Sequence, residues 1–290
     1  LLAAGTAAYG RELAGVVDLE SLGGLVTKAV SPEPRKGAAA PRVAEFEGGM
    51  INAVGLANPG LEEVKREDLP WLEKNVRMAR VVVNVVGSAV EDFATVVESL
   101  TEVERIDAFE LNVSCPNVRA GGMEFGADMT VLSSLVSRAR AATDKPLFVK
   151  LSPTLPAIAD TARAAVFSGA SGITVINTIP GLVIDVEKRR PALGFGSGGV
   201  SGVGLLPVGV LSVRKVSQAV DVPVIGVGGV SRGTDVVQYM MAGASLVAIG
   251  TAAMRDPRTP ERVIGELASW CSSHGVRSVD EIIGSLEWPS

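Results

Sequence analysis

Short apolar, β-branched runs alternate with longer helical patterns along nearly the whole of this 290-residue chain. That alternation limits the fold more than any other feature, because strand–helix repeats build parallel sheets with helices packed outside. Strands are predicted at Leu1–Ala4, Leu25–Lys28, Val81–Val86, Phe109–Asn112, Leu147–Leu151, Ile173–Asn177, Val224–Val227 and Leu246–Ile249. Between them lie amphipathic stretches such as Val90–Glu104, Thr130–Ala142, Ile158–Ser168, Val208–Val220 and Thr234–Ala242. In one of these, Phe93, Val96, Val97 and Leu100 stand at i, i+3, i+4 and i+7, a one-face helical stripe. The strand runs are almost continuously apolar, as parallel strands buried on both faces require. Eight such units predict a closed (β/α)8 TIM barrel, an architecture of typically ~250 residues, as a single domain over 1–290. Two insertions interrupt the repeat. Residues 42–52 alternate around Gly48-Gly49 and read as an antiparallel hairpin. Residues 181–206, rich in glycine and charge, read as an extended loop near the C-terminal mouth. The chain opens inside its first predicted strand, so further residues are expected upstream.

Composition removes several classes of function. One histidine, His274, and two cysteines far apart in sequence, Cys115 and Cys271, cannot build a zinc or iron–sulfur site. Two thiols make no disulfide framework, which fits a reducing compartment. The net charge of −5, with signs interspersed, leaves no basic stripe for nucleic acid. No apolar run is long enough to cross a bilayer, and no charged segment precedes a signal core. These features predict a soluble, cytoplasmic globular protein.

Polar residues collect where the predicted strands end, which in such barrels is where chemistry is done. Thr6 follows the first strand, Lys28 ends the second and Asn84 lies in the third. Asn112, Lys150 and Asn177-Thr178 close the next three, while Gly228-Gly229 and Gly250-Thr251 follow the last two. Any one of these could be structural, but a converging ring of amides and ammoniums is costly to desolvate without a polar ligand. The glycines after the seventh and eighth strands suit phosphate binding through backbone N–H groups. The alternative is glycine for tight turns alone.

The densest motif is Glu110-Leu111-Asn112-Val113-Ser114-Cys115-Pro116-Asn117. A cysteine just past a strand end could act as nucleophile or general base, or simply pack. Nucleophilic catalysis calls for a histidine base, and the one histidine lies in the polar segment Ser272-Ser273-His274-Gly275, so proton transfer by the thiol itself stays open. Cys271, beside Trp270 on the last helical pattern, reads as packing. The run Gly194-Phe195-Gly196-Ser197-Gly198-Gly199 matches GxGxxG but follows charged residues instead of a strand, which argues against a dinucleotide fingerprint. Asn112-Val113-Ser114 matches a glycosylation sequon at a buried strand end and is set aside.

The Asn-Val-Ser-Cys-Pro-Asn motif resembles the signature of the class 1 dihydroorotate dehydrogenases, flavin barrels of pyrimidine biosynthesis. The resemblance runs over nearly the whole chain. It includes Ala4-Gly5-Thr6, Val26-Thr27-Lys28, Glu33-Pro34-Arg35, Val149-Lys150-Leu151-Ser152-Pro153, Ile176-Asn177-Thr178 and Gly198–Gly202. Cysteine in the motif is similar to class 1; class 2 enzymes carry serine there and a membrane helix. Asn52-Ala53-Val54-Gly55-Leu56 and Ile184-Asp185 look more like subclass 1B than 1A.

The resemblance implies that Cys115 removes the C5 proton of dihydroorotate while C6 passes hydride to flavin N5. It implies that Lys28, the Asn52, Ala53, Val54, Gly55 and Leu56 segment, Asn112, Asn117, Asn177 and Thr178 hold the substrate. For FMN it implies Thr6, Lys28, Ala29, Asn84, Asn112, Lys150, Ile176, Gly202, Gly228, Gly229, Gly250 and Thr251. Lysine beside flavin N1 and O2 is chemically apt, because its charge favours the anionic reduced ring, and amides match the mixed donor and acceptor edge of orotate. Subclass 1B implies a homodimer within a heterotetramer, whose second subunit carries FAD and a 2Fe-2S cluster and reduces NAD+. Two cysteines cannot supply that cluster here. Competing readings are a fumarate-dependent 1A enzyme, a flavin barrel like that of dihydropyrimidine dehydrogenase, a Schiff-base aldolase using Lys28 or Lys150, and a non-catalytic binding barrel.

Overall fold

The computed structural model describes residues 1–114, 116–117 and 123–289. In chain order the strands are β1 (Gly24–Val26), β2 (Val43–Phe46), β3 (Gly49–Asn52), β4 (Arg80–Val85) and β5 (Ala108–Asn112). Next come β6 (Pro116–Asn117), β7 (Met123–Glu124), β8 (Leu147–Leu151), β9 (Gly172–Val175), β10 (Ile179–Gly181), β11 (Ile184–Asp185) and β12 (Arg190–Pro191). The last three are β13 (Gly198–Gly202), β14 (Val224–Val227) and β15 (Leu246–Ala248).

Seven of these form one all-parallel sheet in the order β1-β4-β5-β8-β9-β14-β15, the curled, TIM-barrel-like core of an α/β fold. The predicted first strand, Leu1–Ala4, is reduced to a bridge at Leu2, because Gly5 (φ +77°) turns the chain away at once. Leu2 nevertheless pairs in parallel with Leu25 at one edge of the sheet and Ile249 at the other. Leu2 N–H donates to Gly24 O at 3.0 Å, and Ala3 N–H to Ile249 O at 2.9 Å.

Period-two alternation sorts each barrel strand into an outer and an inner face. The outward residues Val81, Val83, Val85, Phe109, Leu111, Val149 and Leu151 pack with Phe93, Val96, Val97 and Leu100 in the main core. Those four come from the helix Val90–Leu100, whose predicted stripe is fully buried. The inward residues form small clusters, Ala3, Ile225, Val227 and Ala248 on one side and Val26, Val82 and Ala108 on the other, with Phe148 packed against both. Phe148 fits because Gly172 faces it; a Cβ there would lie 2.4 Å from its ring. Above this apolar floor the inward side chains turn polar: Asn84, Glu110, Lys150 and Thr174 are all buried.

The other helices are Leu61–Glu63 and Leu69–Asn75, joined by a π-helical turn, then Met129–Ala141, Ile158–Phe167, Leu206–Ser217, Gly233–Met241, Thr251–Arg255 and Thr259–Ser273. A second sheet, β10-β13-β3-β2, is entirely antiparallel and draws on both insertions. The 181–206 segment is therefore not only loop: β13 pairs Gly199 with Asn52 and Ser201 with Met50, and β11 and β12 pair with each other. Among the described residues no helix is long and apolar enough to cross a membrane, and no group of three or more acidic, histidine or cysteine side chains could hold a metal.

Candidate functional site

The antiparallel sheet delivers Asn52 to the C-terminal ends of the barrel strands. Its Nδ2 donates to Gly199 O at 3.3 Å. Gly199 in turn lies against Thr178: a Cβ there would fall 2.2 Å from the Thr178 hydroxyl, so only glycine permits the approach. Thr178 N–H donates to Asn177 Oδ1 at 2.8 Å, and Asn177 Nδ2 donates to Asn112 Oδ1 at 3.3 Å. Asn112, Asn177 and Thr178 are thus joined by hydrogen bonds, and Gly199, which accepts from Asn52, packs against Thr178. The strand over Ile173–Asn177 ends early, at Val175, which leaves Asn177 and Thr178 on the connection to β10.

Lys150, the lateral partner of Asn112, belongs to a charged cluster. Glu110 Oε1 accepts from Asn84 Nδ2 at 2.8 Å and lies 3.9 Å from Lys150 Nζ. Thr174, laterally paired with Lys150, keeps a buried hydroxyl that has no partner among the described residues. Asn84 N–H also donates to Thr27 Oγ1 at 3.2 Å.

The glycine turns follow β14 and β15, the first of which pairs with β9. Gly228 and Gly229 take φ of +126° and +75°, and a Cβ on Gly229 would fall 2.4 Å from Leu206 N. Tyr239 fixes this turn by donating its hydroxyl to Gly228 O at 2.8 Å. Burial pushes the phenol well above its usual range, which keeps it a donor. Ile176 N–H donates to Val227 O at 3.0 Å, which ties the amide row to the end of β14. Gly250 is beside Thr6, whose hydroxyl would be 3.9 Å from an added Cβ. Thr251 Oγ1 donates to Ser201 Oγ at 2.7 Å, one residue from Gly202, itself at φ +120° against Gly49. Among the described residues, the backbone N–H groups of Gly228, Gly229, Gly250 and Thr251 have no hydrogen-bond partner.

Several predicted residues are placed without joining these contacts. Lys28 follows β1, its N–H bound to Ala8 O at 2.7 Å, and Ala29 O accepts the Tyr9 hydroxyl at 2.9 Å. Ala53 N–H donates to Arg42 O at 2.8 Å, Val54 O accepts Ala38 N–H at 3.1 Å, and Gly55 and Leu56 both adopt positive φ. Asn117 pairs with Met123 through β6 and β7. Cys115 lies outside the described residues. Glu124, on β7, is half-buried; desolvation raises its carboxyl above the usual range, against the opposing pull of the Ser152 hydroxyl.

Glu110, Thr174, Ser201 and Tyr239 were not among the expected site residues. The signal for Glu110 was available: it stands two residues before Asn112 on one strand and shares its face. Tyr239 carries none, because only packing brings a helix side chain under the Gly228 turn. The Gly194–Gly199 run feeds β13 instead of opening a helix, and of it only Gly199 joins the site. His274 stacks on Trp270 at 4.1 Å between ring centroids, next to the half-buried Cys271.

The residues present fit a flavin phosphate and ring: free N–H groups and positive-φ glycines after β14 and β15, with a buried ammonium on β8 and, beside it on β9, a hydroxyl that has no partner among the described residues. The family model described as dihydroorotate dehydrogenase matches residues 1–270. A protein of Alkaliphilus metalliredigens named dihydroorotate dehydrogenase B (NAD(+)), catalytic subunit, is 43% identical over 286 residues, 99% of this chain and 94% of that one. Proteins of the same name from Bacteroides fragilis and Bacillus pumilus are each 43% identical, over 287 and 282 residues, covering 99% and 97% of this chain and 94% and 90% of theirs. With its amide row, its buried lysine and this likeness along nearly its full length, the chain belongs to the dihydroorotate dehydrogenase family, in subclass 1B.

Proposed function

We propose that this chain is the catalytic subunit of an NAD+-linked dihydroorotate dehydrogenase, a single barrel domain that oxidises dihydroorotate to orotate in pyrimidine biosynthesis with FMN as its flavin. The observation that carries this reading is the hydrogen-bonded row Asn112–Asn177–Thr178, with Gly199 and the Asn52 amide packed against it and the buried Lys150 beside Asn112 on the neighbouring strand. A dihydropyrimidine presents N–H donors, C=O acceptors and a carboxylate, and amides answer both kinds of group. Lys28, the Asn52–Leu56 segment, Asn112, Asn117, Asn177 and Thr178 hold the substrate. Thr6, Lys28, Ala29, Asn84, Asn112, Lys150, Ile176, Gly202, Gly228, Gly229, Gly250 and Thr251 hold FMN.

When bound, the flavin supplies the acceptor for the two electrons of the oxidation. The protein's own work is positional and acid–base. Cys115 takes the C5 proton as its thiolate, a form far more accessible at neutral pH than the alkoxide of an alcohol. Lys150 presents positive charge where negative charge accumulates, in a desolvated site where that charge acts strongly. The free N–H groups of Gly228, Gly229, Gly250 and Thr251 receive the phosphate.

Electrons leave through a second subunit carrying FAD and a 2Fe-2S cluster, with the barrel chains paired as a homodimer in a heterotetramer. Anaerobic addition of dihydroorotate to the purified yellow protein tests the reading. Stoichiometric bleaching is expected, of a flavin that is identified as FMN once released. A colourless protein that FMN cannot reconstitute, or trapping of a carbonyl substrate by borohydride, would sink it.

A further inference from the structure

Glu110 has no role in the reading above, yet it is a carboxylate set deep in the barrel interior. Its side chain is 2% exposed and that of Lys150 9%. The carboxylate is anchored on one side by Asn84 Nδ2 at 2.8 Å and faces Lys150 Nζ at 3.9 Å on the other. At that separation the pair is ionic without a direct hydrogen bond, so the ammonium keeps its donors for a ligand. A buried charge without a partner is costly, and here each charge is the other's partner. No helix-packing need explains a carboxylate on this inward face, where Ala108, two residues earlier, is small and apolar.

We propose that Glu110 is a positioning residue that holds the Lys150 ammonium at the floor of the flavin site and offsets part of its charge. It thereby sets how strongly the site prefers reduced over oxidised flavin. The proposal rests on the flavin reading above. Asn84 serves as the strut that keeps the carboxylate oriented.

The experiment measures the affinities of oxidised and reduced FMN, and the midpoint potential of the bound flavin, in four proteins: the unaltered chain, Glu110→Gln, Lys150→Met and the double variant. Glutamine keeps the oxygen that Asn84 donates to and removes only the charge. With Lys150 present, Glu110→Gln is expected to shift the affinity ratio about tenfold toward reduced FMN, a rise of about 30 mV for a two-electron couple. In the Lys150→Met background the same substitution should change the ratio less than about twofold, since no ammonium remains for the carboxylate to hold.

A change under about threefold with Lys150 present, a shift toward oxidised FMN, or an equal shift in both backgrounds overturns the proposal. Should Glu110→Gln not fold, the double variant decides. A folded double variant supports the coupling, because replacing both members of a buried pair is tolerated where breaking it is not. An unfolded double variant means a structural role only and overturns it. Failure of the flavin reading looks different: the unaltered chain would then bind no FMN.

Discussion

Single residues carry the chemistry, and the sharpest expectation falls on Cys115. Cys115→Ser should retain FMN yet reduce it slowly with dihydroorotate at neutral pH, with the rate rising steeply as pH increases; anaerobic stopped-flow absorbance would show this. An unchanged rate would remove Cys115 as the base. Gly229 makes a different kind of contribution. Its φ is +75°, and an added Cβ would lie only 2.4 Å from Leu206 N, which leaves no room for a side chain. Gly229→Ala should therefore cost about 1–3 kcal/mol of stability, seen as a lower urea midpoint, and weaken FMN binding as well. Of the expected site residues, Asn112, Asn177 and Thr178 could be found from strand-end position alone. Glu110 gave a weaker signal, since a charge inside an apolar strand gains meaning only when Lys150 and Asn84 are seen across from it.

At the scale of elements, the helix Val90–Leu100 and the turn after β7 are tied by Phe93 and Phe125. Their rings meet edge to face at 5.4 Å, and both are buried. Phe125→Ala should cost about 3–5 kcal/mol by cavity formation, measurable in denaturant unfolding. The bottoms of β4 and β5 are joined by Asp107, which accepts from Val81 N–H at 2.8 Å, Arg80 at 2.7 Å and Arg105 at 3.0 Å. Burial alone would raise this carboxyl, but the Val81 and Arg80 hydrogen bonds and the Arg105 charge bring it below the usual value. Its contribution is thus full above the unfolded value, about 3.9, and is lost as pH falls through the lower native one. Asp107→Asn should be less stable than the unaltered chain at pH 7, with the gap closing in strongly acidic buffer. The helices were legible because a 3.6-residue stripe is local. The pairing of β13 with β3 was not, because it joins Gly199 to Asn52, 147 positions apart, through backbone bonds that carry no side-chain signature.

For the whole molecule, two cysteines leave no means of housing an iron–sulfur cluster. The purified chain alone should accept electrons from dihydroorotate but reduce NAD+ only when a subunit bearing FAD and the cluster is added. NADH formation, followed by its absorbance with and without that subunit, checks this, and NAD+ reduction by the chain alone would contradict it. The Leu2 bridge also acts at this scale. It pairs with Leu25 and Ile249, so one residue near the start of the chain joins the two edges of the seven-stranded sheet.

The amino-acid sequence by itself determined the strand–helix order, the buried stripes and the set of polar residues at strand ends. Those follow from local periodicity and from the cost of burying polar groups without purpose. Only the tertiary structure decided which polar residues meet. The Asn112–Asn177–Thr178 row with Gly199 and Asn52 against it, the Glu110–Lys150 pair and the Tyr239 support for Gly228 each join residues from different elements. Such contacts depend on how the sheet curls and how far each side chain reaches, and neither is written in any one segment.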